Sequence, residues 1–376
     1  MLRILRAGCT LSALAGLGGP ASAQHVKLST PNASLAEEFS SIRGVRELAD
    51  GRLLVSDYID QRVVLVDLAR KSLVSMVTKG GGPREARLPT RLVPAQGDST
   101  LLVDLGNNRL LLLDGAGRPV RTIPAEGFGF LGVRGVDAAG AFYYAVPGWA
   151  DQAAQLANDS VRVVRWSPRT GTTETVAVVQ GERMRSDIRQ PARTPRIPTV
   201  GYASQDGWLL SDTGVLRIVR AGGYRIESRG RGAPLIGPSY AYQTPLVSSA
   251  DRVAYVREFL ATTPTSGKGE NGGMGFSPAA SEAEIAAMTQ GTQFAERHPM
   301  FDAGRVVAAA GGRLWVGHPA LQGKPVLYDE FDEAGRRLRT IELLPGRRVL
   351  SIGRQGVYVV AESELGVQHL ERYPLP

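Results

Sequence analysis

Arginine is the residue type with most to offer chemically in this chain. Arg43, Arg91, Arg134, Arg305 and the pair Arg347-Arg348 each stand beside the start of a short apolar, β-prone run, and Arg196 stands just upstream of another. A guanidinium presents a planar fork of N–H donors that grips carboxylate, phosphate or sulfate through two parallel bonds. Positions so far apart in sequence act together only if the fold gathers them. If it does, they make a focused positive field that concentrates anions. The Arg-rich stretch ERMRSDIRQPARTPR (182–196) adds to that supply. Trp149, in the turn Pro147-Gly148-Trp149, is the aromatic best suited to face a ligand, whereas Tyr143, Tyr144, Trp166, Trp208 and Trp315 fall mainly on strands and belong to packing.

Metal and nucleophile chemistry has less material. Three neutral imidazoles with one open position would make a catalytic zinc site, and the four histidines are His25, His298, His318 and His369. Only His298 and His318 fall close in the repeat described below, so they are weak candidates and the expectation is no cofactor. Cys9 is the one cysteine and lies in the N-terminal leader, so disulfides, thiolate ligands and a cysteine nucleophile are not expected. The patterns GxSxG, HExxH, Walker A and EF-hand do not occur. GFGFLG (127–132) fits GxGxxG but opens no helix, so it reads as a loop.

The elements that would gather the arginines are written as a repeat. LVSDYIDQRVVLVD (54–67) and LVDLGNNRLLLLD (102–114) say the same thing twice: apolar run, Asp, polar turn, Arg, longer apolar run, Asp. Extended to both sides, these words fall in units of three or four short β-prone runs separated by Gly, Asp and Asn turns. Six units can be aligned, the fourth as PTVGYASQDGWLLSDTGVLRIVRAGGYRIES. Asp50-Gly51, Asp206-Gly207 and Gly311-Gly312 are hairpin signals. Units of about 40 to 50 residues with four strands each are the mark of a β-propeller blade. The predicted fold is therefore an all-β, six-bladed β-propeller. The sixth unit lacks a fourth run before Pro376, so HVKLST (25–30) is expected to complete it and close the ring.

The words VSDYIDQRVVLVD and VDLGNNRLLLLD resemble the NHL-type repeat, closely in blades one and two and partly at LLSDTGVLRIV in blade four. The resemblance implies a six-bladed, NHL-like propeller of the bacterial secreted kind. That fold hosts binding modules, zinc lyases and calcium-dependent lactonases, so it implies architecture and leaves activity open. The Glu, Asn and Asp ligand set of the lactonases has no residue-by-residue match here. Asp57, Asp104 and Asp212 are placed at the turn between second and third strands, where a carboxylate caps backbone N–H groups and can pair with Arg62 or Arg109. His318 takes that slot in blade five, and Val146 and Ala361 take it in blades three and six.

Inner strands of a propeller begin on the face that carries those turns. Arg43, Arg91, Arg134, Arg305 and Arg348, with Arg196 nearby, are thus expected to ring one channel mouth, with Trp149 as a companion. A partly helical insertion (about 230–297) between blades four and five joins the same face as a candidate lid. It holds the helix-like ADRVAYVREFLA (250–261) and a capping box at Ser281 and Glu284.

The N-terminus MLRILRAGCTLSALAGLGGPASA has the charged, apolar and small-residue order of a signal peptide, with cleavage after Ala23, so residues 24–376 form the propeller. The expected location is periplasmic or secreted. No later segment is apolar enough to span a membrane. The net charge of +8 comes almost wholly from Arg, without the interleaved aromatic and basic stripe of a nucleic-acid binder. The resulting expectation is a monomeric, non-enzymatic binding propeller for an anionic small molecule, glycan or peptide. A metal-dependent lactonase- or lyase-like hydrolase on the same face, and a protein-interaction scaffold, are the alternatives.

Overall fold

The computed structural model describes residues 24–124, 132–147, 159–181, 200–230, 232–241, 243–262, 265–266, 274–275, 280–363 and 366–376. The leader (1–23), Trp149 and Arg196 lie outside them.

Six antiparallel sheets are arranged around an axis. Blade one consists of Ile42–Glu47, Leu53–Asp57, Arg62–Asp67 and Ser72–Lys79, and blade two of Pro89–Pro94, Thr100–Asp104, Arg109–Leu113 and Pro119–Pro124. Blade three is Val133–Val136, Phe142–Pro147, Ser160–Trp166 and Thr173–Gln180, and blade four is Gly207–Leu210, Leu216–Arg220, Arg225–Arg229 and Leu235–Ile236. Blade five is Val306–Ala308, Leu314–Gly317, Val326–Phe331 and Arg337–Leu343, and blade six is Arg347–Ile352, Val357–Glu362 and Gln368–Tyr373. Each inner strand packs on the inner strands of the two adjacent blades, and that of blade six returns to blade one, so the ring is closed.

Side-chain alternation explains why the second and third strands read as unbroken apolar runs. Successive residues of a strand point to opposite faces of its sheet, and in a blade each face meets another blade. Leu53 and Val55 pack toward blade six, while Leu54, between them, packs toward blade two. The core accordingly divides into six apolar clusters, one at each blade-to-blade interface.

The N-terminal segment closes the ring, although by different residues from those expected. Ala33–Ser34 (β2) pairs antiparallel with Gln368–Tyr373 and completes blade six. Gln24–Leu28 (β1), which holds most of HVKLST, instead runs parallel to Arg337–Leu343 as a fifth strand on blade five. Its register matches the apolar faces: Val26 and Leu28 face Ile341 and Leu343, and Leu28 joins the cluster between blades five and six.

Blade four corrects a second expectation. Its inner strand is Gly207–Leu210, whereas Val200–Gly201 leaves the blade and pairs with Gln293–Phe294 of the insertion. Asp212 therefore sits in the turn between first and second strands, where it accepts the amides of Gly311 and Gly312 in blade five. Asp206-Gly207 is not a hairpin turn either. Asp206 precedes the inner strand and accepts from Ala221 N and Gln180 N, and its carboxylate pairs with Arg220 at 2.8 Å. Asp50-Gly51 and Gly311-Gly312 do form hairpin turns, with positive φ at all three glycines. The insertion between blades four and five carries two helices, Ser249–Thr262 (α1) and Glu282–Gly291 (α2), the latter started by the Ser281 and Glu284 capping box. No helix among the described residues is long and apolar enough to cross a membrane.

Candidate functional site

The inner strands do not run straight into the channel; three of them bulge where an arginine stands. In blade one Ile42 faces Asp57 and Gly44 faces Ser56, which leaves Arg43 as the extra residue. In blade three Val133 faces Tyr144 and Gly135 faces Tyr143, which leaves Arg134 extra. In blade two the register breaks between Pro89 and Leu92, around Arg91. A β-bulge kinks its strand and re-aims the side chain of the unpaired residue, here into the central channel. The glycines after Arg43 and Arg134 let neighbouring blades close up: a Cβ on Gly44 would lie 2.9 Å from Thr90 O, and one on Gly135 would lie 2.6 Å from Leu210 Cβ.

Arg43, Arg91, Arg134, Arg305 and Arg348 all line one cavity of about 1570 Å³ along the axis. Arg347, one residue before Arg348, turns outward to Glu371 at 3.2 Å. Each channel arginine is placed by a specific contact. Arg43 donates to Ser41 Oγ at 3.2 Å and lies 5.3 Å from the Tyr58 ring centre. Arg134 stacks at 4.9 Å over Trp208, the first apolar residue of the blade-four inner strand. Arg348 donates to Ile42 O at 3.1 Å, and Arg305 to Asp302 Oδ2 at 3.0 Å. Arg91 is open to the channel yet walled by protein.

Their electrostatics follow the order of the blades. Burial, and then repulsion from Arg43, lowers the Arg91 pKa. Burial, and then Arg91, lowers that of Arg134 to about 9. Arg348 is lowered by burial first and then by Arg43 and Arg305. A delocalised guanidinium seldom gives up its proton, so this strain is expressed as demand for a counter-ion rather than as neutralisation. Arg305 is the exception. Burial opposes its charge, but Tyr328, Asp302 and Glu258 outweigh burial and raise its pKa. Among the described residues Arg43, Arg134 and Arg348 have no carboxylate within ion-pair distance, and Arg134 Nε and Arg305 Nη1 are buried without a hydrogen-bond partner.

The far wall of the cavity is made by the insertion. Tyr255, Glu258 and Phe259 of α1 line it together with Tyr202 and Phe301. Tyr202 donates to Asp251 O at 2.9 Å and packs against Tyr255 at 5.0 Å and His298 at 4.6 Å between ring centres, which ties α1 to the segment that leads into blade four. Burial, followed by the nearby charges of Asp251, Glu258 and Asp302, raises the Tyr202 pKa, so its phenol stays protonated. The mouth is therefore positive on the sides of blades six, one, two and three, and aromatic with acidic groups where blades four and five meet the insertion.

The repeated aspartates serve the blades. Asp57 accepts from Ser40 N and Ser41 N at 3.2 and 3.0 Å, and Asp104 accepts from Arg87 N and pairs with Arg109, both at 2.7 Å. Arg62 lies closer to Glu37, at 3.1 Å, than to Asp57, at 3.7 Å. The two histidines go to different acids. His298 Nε2 is 3.3 Å from Asp251 Oδ2 in poor hydrogen-bond alignment, and His318 Nε2 is 3.0 Å from Asp329 Oδ2, which also accepts from Tyr224 at 2.8 Å. Among the described residues no group of three or more His, Cys, Asp and Glu side chains is placed to hold a metal ion.

Tyr58, Tyr202, Trp208 and Glu258 join the cavity without having been expected there. Trp208 has a readable signal, since placing Gly207–Leu210 as an inner strand puts it in the channel; the α1 residues have none, because a lid contact is not written in local periodicity.

No protein-family model and no curated protein sequence matches the chain. Solved structures do. A predicted exported protein of Bacteroides fragilis superposes with TM-score 0.51 at 11% identity, over 94% of this chain and all (100%) of the other. The calcium-binding protein regucalcin of Agrobacterium tumefaciens gives 0.46 at 12% identity over 94% and 97%, and a gluconolactonase of Xanthomonas campestris gives 0.44 at 11% over 92% and 93%. At this level of identity the likeness concerns the six-bladed β-propeller fold and nothing finer.

Proposed function

We propose that the protein is an exported, non-enzymatic binding propeller with NHL-like blades, whose channel mouth holds an anionic small molecule, glycan or peptide segment. One observation carries the reading. Five arginines from five blades line one cavity, each burdened by or adjacent to a like charge, and three of them have no carboxylate partner among the described residues. Such charges cost free energy unless an anion answers them. The cavity, at about 1570 Å³, has space for an organic ligand attached to the anionic group. Export is supported by the leader-like residues 1–23.

The test replaces Arg43, Arg91 and Arg305 together with glutamine and screens anionic ligands by thermal shift. The parent protein should be stabilised by a subset of anions and the triple variant by none. A parent without any anion response, or a variant that keeps it in full, would overturn the proposal.

A further inference from the structure

Three of the channel arginines come from the consecutive blades six, one and two, away from the acidic groups beside Arg305, which bears on the kind of anion taken. Blade one lies between blades six and two in the ring, and its inner strand packs on both of theirs. Arg43 stands in the middle of this group. Arg348 is tied by its hydrogen bond to Ile42 O, the residue directly before Arg43. Arg91 sits in the irregular stretch of the adjacent strand. Arg43 uses Nε on Ser41 Oγ and rests its guanidinium against the Tyr58 ring, and among the described residues its terminal nitrogens have no hydrogen-bond or ion-pair partner. The neighbouring Asp57 carboxylate is already engaged by the Ser40 and Ser41 amides, so it is not a counter-ion for this group. Asp302 and Glu258 serve the Arg305 side.

Resting on the anion-binding reading above, we infer that Arg43, Arg91 and Arg348 together take the doubly charged phosphoryl group of a phosphate monoester, whose organic part lies toward Tyr202 and Tyr255. A monoanion would neutralise one of three clustered cations and leave the rest in mutual repulsion. A phosphoryl group brings close to two negative charges and three terminal oxygens, one for each guanidinium. A carboxylate offers two oxygens and one charge. The lowering of Arg91 and of Arg348 by Arg43 is in keeping with this, because both neighbours feel the charge of Arg43. The aromatic wall suits the ester's carbon skeleton, and the cavity volume leaves space for it.

Calorimetric titration of the full chain at pH 8 and matched ionic strength tests the idea with inorganic phosphate, glycerol 2-phosphate and methanesulfonate. The last has the same three-oxygen face with one charge fewer. Phosphate and glycerol 2-phosphate should bind at least about tenfold more tightly than methanesulfonate. Arg43→Gln and Arg348→Gln should each weaken phosphate by about tenfold or more, while Arg70→Gln, an exposed site outside the cavity, should leave it unchanged. If phosphate and methanesulfonate bind within about threefold of each other and the triple variant loses both, the phosphoryl assignment fails while the anion site stands. If no anion binds the parent protein, both fall. The ratio between probes on the unmodified chain decides the matter even if a variant does not fold.

Discussion

Arg134 condenses the relation between fold and function into one side chain. It is the extra residue of a bulge, stacks on Trp208, and is pushed by burial and by Arg91 toward losing its charge. The stacking contributes on the order of 0.5–2 kcal/mol, whereas holding an uncompensated charge in a walled site costs more. Arg134→Met should therefore raise stability by about 1 kcal/mol in denaturant titration while weakening the anion response. A destabilised variant would mean that the stacking wins and that Arg134 is a packing residue. Asp329 is the opposite case. Burial works to raise its pKa, but His318, Thr340 and Tyr224 overcome this and hold it below the ordinary 3.8. A carboxyl depressed in the folded state contributes stability that is present above its unfolded pKa and lost as pH falls below it. Asp329→Asn should thus cost about 3 kcal/mol at pH 7, with the gap to the parent protein narrowing as the pH is taken below 3.8. Equal loss at both pH values would indicate that shape, not charge, matters there. At this scale the sequence was informative where chemistry and geometry shared a word. Arg-Gly-Val occurs at 43–45 and at 134–136, and both copies are a bulge followed by a close blade contact.

At the scale of elements, the legible part was the strand and the illegible part was its rank within the blade. Leu209-Leu210-Ser211-Asp212 copies the Val55-Ser56-Asp57 word, and Arg217 follows Asp212 by the same five residues that separate Asp57 from Arg62. Yet Arg217 is fully buried and donates to the carbonyls of Gly312 and Asp332 in blade five. Strand, polar turn, strand is the same pattern for any hairpin of a blade, so local sequence alone did not separate the first hairpin from the second. The N-terminal strands were likewise visible as β-prone, but their partners lie more than 300 residues away. Their roles differ in a measurable way. Deleting residues 24–28 removes β1, an outer strand whose Gln24, His25 and Lys27 are exposed or partly so, and should lower the unfolding midpoint by only a few degrees. Deleting 24–39 also removes β2, Leu35 and Phe39, which pack between blades six and one, and should abolish cooperative unfolding or lower the midpoint by more than about 10 °C. Similar melting of the two truncations would contradict the assignment of ring closure to β2.

For the molecule as a whole, the ring gathers charges that the chain keeps far apart, and the result is a field rather than a set of contacts. With a net charge of +8 and five cationic groups on one cavity, association with an anion should depend strongly on salt. Screening length falls from about 10 Å at 0.1 M to about 3 Å at 1 M ionic strength. Phosphate affinity should accordingly drop by about tenfold or more between those conditions, as read by calorimetry. A flat salt profile would place binding on neutral hydrogen bonds instead.

The seam of the circle has one more implication. Because β2 pairs with Gln368–Tyr373, strands made early and late are neighbours, and blade six holds three strands until β2 joins it. A chain emerging from a ribosome or a translocon thus carries β2 with an unsatisfied sheet margin until Gln368–Tyr373 has been made. The strand Gln368–Tyr373 acts as a latch, so termination before it would leave Ala33–Ser34 and Val357–Glu362 as two open β-edges, which invite another chain to pair.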